Sequence, residues 1–219
     1  MSGRPAVSRL AIAAMLTALA TVPASSLDRV QRIETAHIDT GRLQSGDLVF
    51  RAGRGWEADA VRTASFARFS HVGLIERTDG DAIFVIHAAP PEDGGHGIVE
   101  RVPLAAFNDP GLASDIVFYR PSGMNDADRA ATVAAARGFA ARGIPFDAAF
   151  DLTDSSALYC TELVLDAFAA AGATIRLAAP DRERAAIVRD IVFPADLLRS
   201  ASFERIAVTD GHRHARPSP

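Results

Sequence analysis

Hydrophobic positions along the chain change their spacing twice. A short apolar run, Leu10 to Ala20, opens it. Strand-sized apolar segments punctuated by turn residues come next, and Ala-rich stretches with helical spacing follow. Asp47-Leu48-Val49-Phe50 reads as the first strand. It is entered through Ser45-Gly46, where the glycine supplies a turn and Asp47 can tie that turn back to the backbone. Arg62 to Phe69 reads as a short helix. His71-Val72-Gly73-Leu74-Ile75-Glu76 and Ile83-Phe84-Val85-Ile86-His87 are two apolar, β-branched strands joined by Thr78-Asp79-Gly80-Asp81, so they predict a β-hairpin. Pro90 to Gly97 is a loop, and 97–102 and 115–119 are two further strands. Asn125 or Asp126 can cap a helix that runs to about Arg142 and stops at Gly143. After the Gly143-Ile144-Pro145 break and a loop to Ser156, a second helix spans Tyr159 to Ala171. Its Leu163, Val164, Ala167, Phe168 and Ala171 form one buried face. Residues 191–208 are the last ordered piece, and the polar tail 209–219 reads as disordered. No internal repeat is present. The pattern predicts strands followed by helices, an α+β fold.

The first apolar run changes how much of the chain belongs to that fold. Arg4 and Arg9 precede it, and Val22-Pro23-Ala24 places small residues at the two positions a signal peptidase reads. Residues 1–24 are therefore expected to be a signal peptide. The run is shorter than the roughly 20 residues a spanning helix needs, so no stable membrane span is expected after processing. Export to the periplasm or beyond follows. Residues 25–42 read as a lead-in segment. The remaining 43–208 can carry one core.

Charge narrows the partners. The 219 residues carry a formal charge of -4 with no lysine among the 23 basic residues, and no basic face of the kind nucleic acid requires. There is one cysteine, so no intramolecular disulfide can form. An exported protein that keeps an unpaired thiol either buries it or uses it.

Cys160 stands at the start of the second helix, behind the N-cap candidates Asp154, Ser155 and Ser156. A helix N-terminus favours the thiolate, and its free N–H groups can hold an oxyanion. Tyr159 beside it can line the pocket or assist the oxyanion, or simply pack. His37 and His96 lie in polar surroundings and read as solvated. His71 begins one hairpin strand and His87 ends the next, so an antiparallel register brings the two imidazoles together. One can act as base and the other can orient it.

These segments resemble a known family. "LQSGDLVF", residues 43–50, is similar to the opening Gly-Asp strand of NlpC-like papain-fold hydrolases. "FSHVGLIE" around His71 and "LYCTELV" around Cys160 resemble the catalytic segments of the circularly permuted, YiiX/YebB-like branch, in which His precedes Cys. "GIPFDAAF", "VFPADLLRS" and "GIVERVPLAAF" resemble flanking segments of that branch. The resemblance spans roughly 43–208. It implies an α+β, papain-like fold, an antiparallel, partly barrel-like sheet packed against a helix that carries the cysteine at its N-terminus, with Cys160 as nucleophile, His71 as base and His87 as third polar residue. The branch commonly has Glu at the third place, so His87 departs from the pattern; Glu76 and Glu92 are its possible substitutes. Glu76 faces away from His71 by strand parity.

The chemistry implied is amide or ester cleavage through a thioester, on cell-wall peptides or lipid acyl groups, with no cofactor and no metal. A lipid-directed acyltransferase of the same fold is the alternative. Two readings compete: a binding module that retains the fold, and a metal amidase with His71, His87 and Cys160 as zinc ligands. The last lacks any closely spaced chelating pair.

Overall fold

A computed structural model describes residues 40–90, 96–177 and 191–206. The expected signal peptide, most of the lead-in with His37, Glu92 and the tail lie outside the described residues. In chain order the elements are β1 (Leu48–Gly53), α1 (Trp56–Ser65), β2 (His71–Arg77), β3 (Ile83–Ala88), β4 (Val99–Pro103), α2 (Leu104–Phe107), β5 (Ala113–Pro121), α3 (Asp126–Ala141), α4 (Cys160–Ala170), α5 (Pro194–Leu198) and β6 (Phe203–Ile206). The six strands form one sheet in the order β4-β3-β2-β1-β5-β6, and every neighbouring pair is antiparallel. The sheet does not close on itself; β4 and β6 are its edges.

Strand alternation sorts the side chains into two layers. Leu48 and Phe50 of β1, Val72 and Leu74 of β2, and Ile86 of β3 turn to one side. There they pack on Leu163, Val164, Ala167 and Phe168 of α4 and on Val133 and Ala136 of α3. Val49, Ile75, Val85 and Phe118 turn to the other side, where Leu43 and Leu104 and Phe107 of α2 cover them. A four-residue helix suffices there because its two large side chains are both buried. Among the described residues no helix is long and apolar enough to cross a membrane.

The helices begin where local chemistry starts them. Asn125 caps α3: its Oδ1 accepts from the Asp128 N–H at 2.9 Å, and the Asp128 carboxylate accepts from the Asn125 N–H at 3.3 Å. α5 starts at Pro194, and Asp196 accepts from the Phe193 N–H at 2.8 Å. α1 occupies 56–65 rather than 62–69. Its N-cap, Gly55, offers no side chain to mark the start, and Phe66 ends it in the left-handed region at φ 51°.

The turn into β1 behaves as the sequence suggests. Gly46 adopts φ 87°, which a side chain would resist, and its N–H donates to Ile75 O at 2.9 Å. Asp47 is fully buried. It accepts from the Gln44 N–H at 2.8 Å and takes both arms of the Arg120 guanidinium, each at 2.8 Å.

Candidate active site

β2 and β3 bring His71 and His87 together. Nε2 of His71 lies 3.0 Å from Nδ1 of His87, and their rings cross edge to face at 5.1 Å between centroids. Both are buried. Gly73 makes the approach possible: a Cβ there would collide with the Val85 side chain and press on Cβ of His87. Phe107 of α2 closes over the pair, stacked on His71 at 5.7 Å and edge-on to His87 at 5.1 Å. The Arg51 guanidinium, from the residue paired with His71 across β1 and β2, lies over the Phe107 ring, 4.6 Å from its centroid, and donates to Phe107 O at 3.1 Å.

Burial and the Arg51 charge both disfavour imidazolium. His71 is held well below its ordinary value near 6.5, and the neighbouring His87 lowers it further. His87 is lowered to about 3, by burial first and Arg51 second. Both rings are neutral at physiological pH. A folded-state pKa below the unfolded one means that the unfolded chain binds more protons under pH 6.5. Stability is therefore present above about 6.5 and is lost as pH falls toward 3. The slope approaches about 1.4 kcal/mol per pH unit for each histidine. Between pH 7.5 and 5 we expect the unfolding free energy to drop by about 2 kcal/mol for each of the pair. Chemical denaturation of the protein and of His71→Asn/His87→Asn at both pH values checks this. Equal slopes in the two proteins would remove these histidines as its source.

Cys160 enters from the other layer, as the first residue of α4. Its start is not capped by Asp154, Ser155 or Ser156, as the sequence suggested. Asp154 instead accepts from the Ser156 N–H and hydroxyl at 3.0 and 2.6 Å within the preceding loop. The helix uses Glu162, whose carboxylate accepts from the Tyr159 N–H at 3.3 Å. Upstream, the segment Ile144 to Asp147 braces this start. Pro145 O accepts from the Leu158 N–H at 2.9 Å, and Leu158 O accepts from the Asp147 N–H at 3.1 Å. Tyr159 is buried, packs edge-on against Phe150 at 5.2 Å, and accepts from the Val192 N–H at 3.2 Å. Its hydroxyl thus tethers the segment before α5 to the helix start.

The thiol itself is 7% exposed, 3.8 Å from the Thr161 hydroxyl. Burial raises its pKa. Thr161, the Val72 N–H and Arg51 pull the other way and are outweighed. The thiolate expected at a helix start is therefore not the resting state; burial wins over the helix end. The thiol packs in the same core layer as Val72, the residue after His71, and the Val72 backbone is among the groups that lower its pKa. No hydrogen bond joins Cys160 to His71 in the described structure. At rest the site holds a neutral thiol and two neutral imidazoles.

Other residues fall into place around this centre. Glu76 is turned away, as parity requires. It is paired with Arg101 at 2.5 Å and Arg137 at 3.5 Å. His96 belongs to the loop before β4 and makes no contact with the pair. Arg51, Phe107 and Glu100 were not singled out from the sequence. Glu100 of β4 is the register partner of His87, and its Oε1 lies 3.3 Å from Nε2 of that ring. A cleft of about 350 Å³ lies elsewhere, between α3 and the end of β2, lined by Glu76, Arg77, Arg129 and Arg137 among others. It contains none of the three candidate catalytic residues.

This fold, with a helix-start cysteine following strand-borne histidines in the chain, defines a circularly permuted papain-like cysteine hydrolase. A family model described as "Permuted papain-like amidase enzyme, YaeF/YiiX, C92 family" matches residues 42–206. The chain belongs to that family. No curated protein matches it. Among solved structures it is similar to one described as metalloprotein yiiX from Escherichia coli O157:H7. The TM-score is 0.59 at 20% identity, over 76% of this chain and 97% of that one. At that identity the likeness speaks for the fold. A metal would need a different donor arrangement from the one seen here. Among the described residues no group of three or more His, Cys, Asp or Glu is placed to hold an ion, and the facing imidazole nitrogens are hydrogen-bonded to each other. The set His71, His87 and Cys160 is not assembled as ligands among the described residues.

Proposed function

We propose that the protein is an exported amidase that cleaves acyl amides through a thioester on Cys160, with His71 as base, His87 as its orienting partner and peptides of the cell wall as substrate class. The observation that carries this reading is the buried imidazole pair, Nε2 of His71 to Nδ1 of His87 at 3.0 Å, together with a buried thiol at the first residue of a helix packed on β2. His71 has one ring nitrogen engaged by His87, which leaves Nδ1 to accept a proton. When a carbonyl engages Sγ, the thiol proton passes to Nδ1 and the sulfur–carbon bond forms. The oxyanion is held by first-turn N–H groups of α4, which have no helical partner. His71 then protonates the leaving amine. Water, deprotonated by the same nitrogen, releases the acid.

A neutral resting thiol has a measurable consequence. Alkylation of Cys160 by iodoacetamide in the free protein should rise only above the ordinary thiol range near pH 8.5. Incubation with activated acyl esters and acyl amides should nevertheless leave a mass adduct on Cys160 near neutral pH, because His71 takes the thiol proton as the carbonyl is attacked. Peptide amides and long-chain esters tested side by side separate the cell-wall reading from lipid acyl transfer. The absence of any adduct with either class would sink the thioester mechanism.

A further inference from the structure

We propose that Glu100 is a positioning residue that fixes the tautomers of both histidines and so decides which nitrogen of His71 is the base. The inference rests on the hydrolase reading for its purpose, but not for its geometry. In the chain of contacts, Oε1 of Glu100 lies 3.3 Å from Nε2 of His87, and Nδ1 of His87 lies 3.0 Å from Nε2 of His71. A neutral imidazole carries one N–H and one lone pair. Two neutral rings facing each other through one nitrogen each have two self-consistent arrangements.

In the first arrangement, His87 holds its proton on Nε2 and directs it at the Glu100 carboxylate. Its Nδ1 is then a lone pair, which accepts Nε2–H of His71. Nδ1 of His71 is bare and can take the thiol proton. In the second, His87 holds its proton on Nδ1 and donates it to Nε2 of His71. His71 must then carry its own proton on Nδ1, the nitrogen that should be the base. Two lone pairs face each other between His87 and Glu100, and the catalytic nitrogen is blocked.

A carboxylate only accepts, so Glu100 selects the first arrangement. Charge-assisted bonds to an anion are also the stronger ones. The register of β3 and β4 is what delivers it: Glu100 sits directly opposite His87 on the same face of the sheet. Its side chain is 39% exposed, so it can change without opening the core. Arg51 contributes the complementary condition. Together with burial it keeps both rings neutral, and only a neutral His87 can accept at Nδ1. The chain also fits the loss of a proton from sulfur. The imidazolium formed on His71 donates through Nε2–H to a ring that is itself anchored on an anion. This gives His87 the anchoring it lacks by itself, and explains how a histidine can stand where the family commonly places Glu.

The test is ¹⁵N–¹H correlation of the ring nitrogens in protein labelled at histidine, with Glu100→Ala and Glu100→Gln. In the native protein both rings should show a protonated Nε2 and a bare Nδ1. Glu100→Ala should show mixed tautomers or Nδ1–H at His71. Hydrolysis of p-nitrophenyl acetate should fall in kcat by about 10²-fold, with KM and thermal stability close to native; neutralising the orienting carboxylate of a Ser-His-Asp triad, about 10⁴-fold, bounds the loss. Glu100→Gln retains an acceptor oxygen and should recover part of the tautomer order and part of kcat. A native His71 protonated at Nδ1, or a Glu100→Ala spectrum and kcat unchanged from native, overturns the proposal. The spectra are readable whether or not the protein hydrolyses anything. An inactive native protein with the expected tautomers would count against the hydrolase reading and leave the assignment of Glu100 standing.

Discussion

Cys160→Ala and His71→Ala should each lower turnover of an acyl amide by about 10⁴-fold or more, and the double variant should be no slower than either alone. The reason is that nucleophile and base act in a single step. The resting thiol is neutral, its pKa raised by burial, so without His71 nothing nearby takes its proton at neutral pH. Without Sγ the neutral imidazole has no covalent partner to activate. Residues that work as a unit give non-additive losses, and the residual rate reflects binding and oxyanion donors alone. A 10⁴-fold loss corresponds to about 5.5 kcal/mol of transition-state stabilisation. His71→Ala should also leave the high-pH limit of Cys160 alkylation intact, because there hydroxide removes the proton. Steady-state assays of the three variants against native protein provide the measurement. More than a tenth of native turnover in Cys160→Ala would exclude thiol chemistry, and additive losses would mean that the two residues serve separate steps.

The acid side of the profile follows from the same burial. A base must be unprotonated, and His71 is held well below 6.5. Its protonation therefore does not limit activity until pH falls below the ordinary imidazole range. The fall in folding stability below 6.5 arrives in the same region. Loss of activity in mild acid is thus expected to track unfolding more closely than it tracks titration of the base.

Much of this centre could be read from the chain because it is local. The hairpin from His71 to His87 has a strong turn, period-two side chains and a histidine near each matching end; the register makes the two diagonal neighbours on one face, within reach of aromatic rings. The Asn125 cap, the helix stop at Gly143 and the inward tie of Asp47 are equally short-range. What was missed depends on distant partners. Glu100 becomes meaningful only once β4 is known to lie beside β3 with His87 opposite residue 100, and neither choice is written in either segment. "LAAF" is too short to show a helical period, yet as α2 it puts Phe107 over both rings; the Pro103 before it was the available signal. The state of the thiol was misjudged for a related reason. Helix position is a local property and favours thiolate, while burial is set by everything that packs around residue 160 and prevails here.

Asp47→Ala should destabilise the fold by about 3–5 kcal/mol, the largest loss expected from a single substitution away from the catalytic residues. The carboxylate is fully buried. Its Oδ1 accepts Nε of Arg120 and its Oδ2 accepts Nη2, both at 2.8 Å, a two-pronged match that suits the planar guanidinium. Oδ2 also takes the Gln44 N–H, and Arg129 stands 3.7 Å from Oδ1. Deleting the carboxylate strands two guanidiniums that are only 30% and 12% exposed and orphans a backbone donor in the turn. Breaking one side of such a pair costs more than the intact pair contributes, because the remaining charges stay desolvated. Asp47→Asn keeps an acceptor and the shape but not the charge, and should lose less. Replacing Asp47 and Arg120 together with apolar residues should recover much of the loss. Guanidinium denaturation of the variants measures this directly. A loss below about 1 kcal/mol in Asp47→Ala would show that the turn into β1 holds without its anion. The site lies at the far end of β1 from Arg51, so whatever fraction remains folded should acylate Cys160 at the native rate.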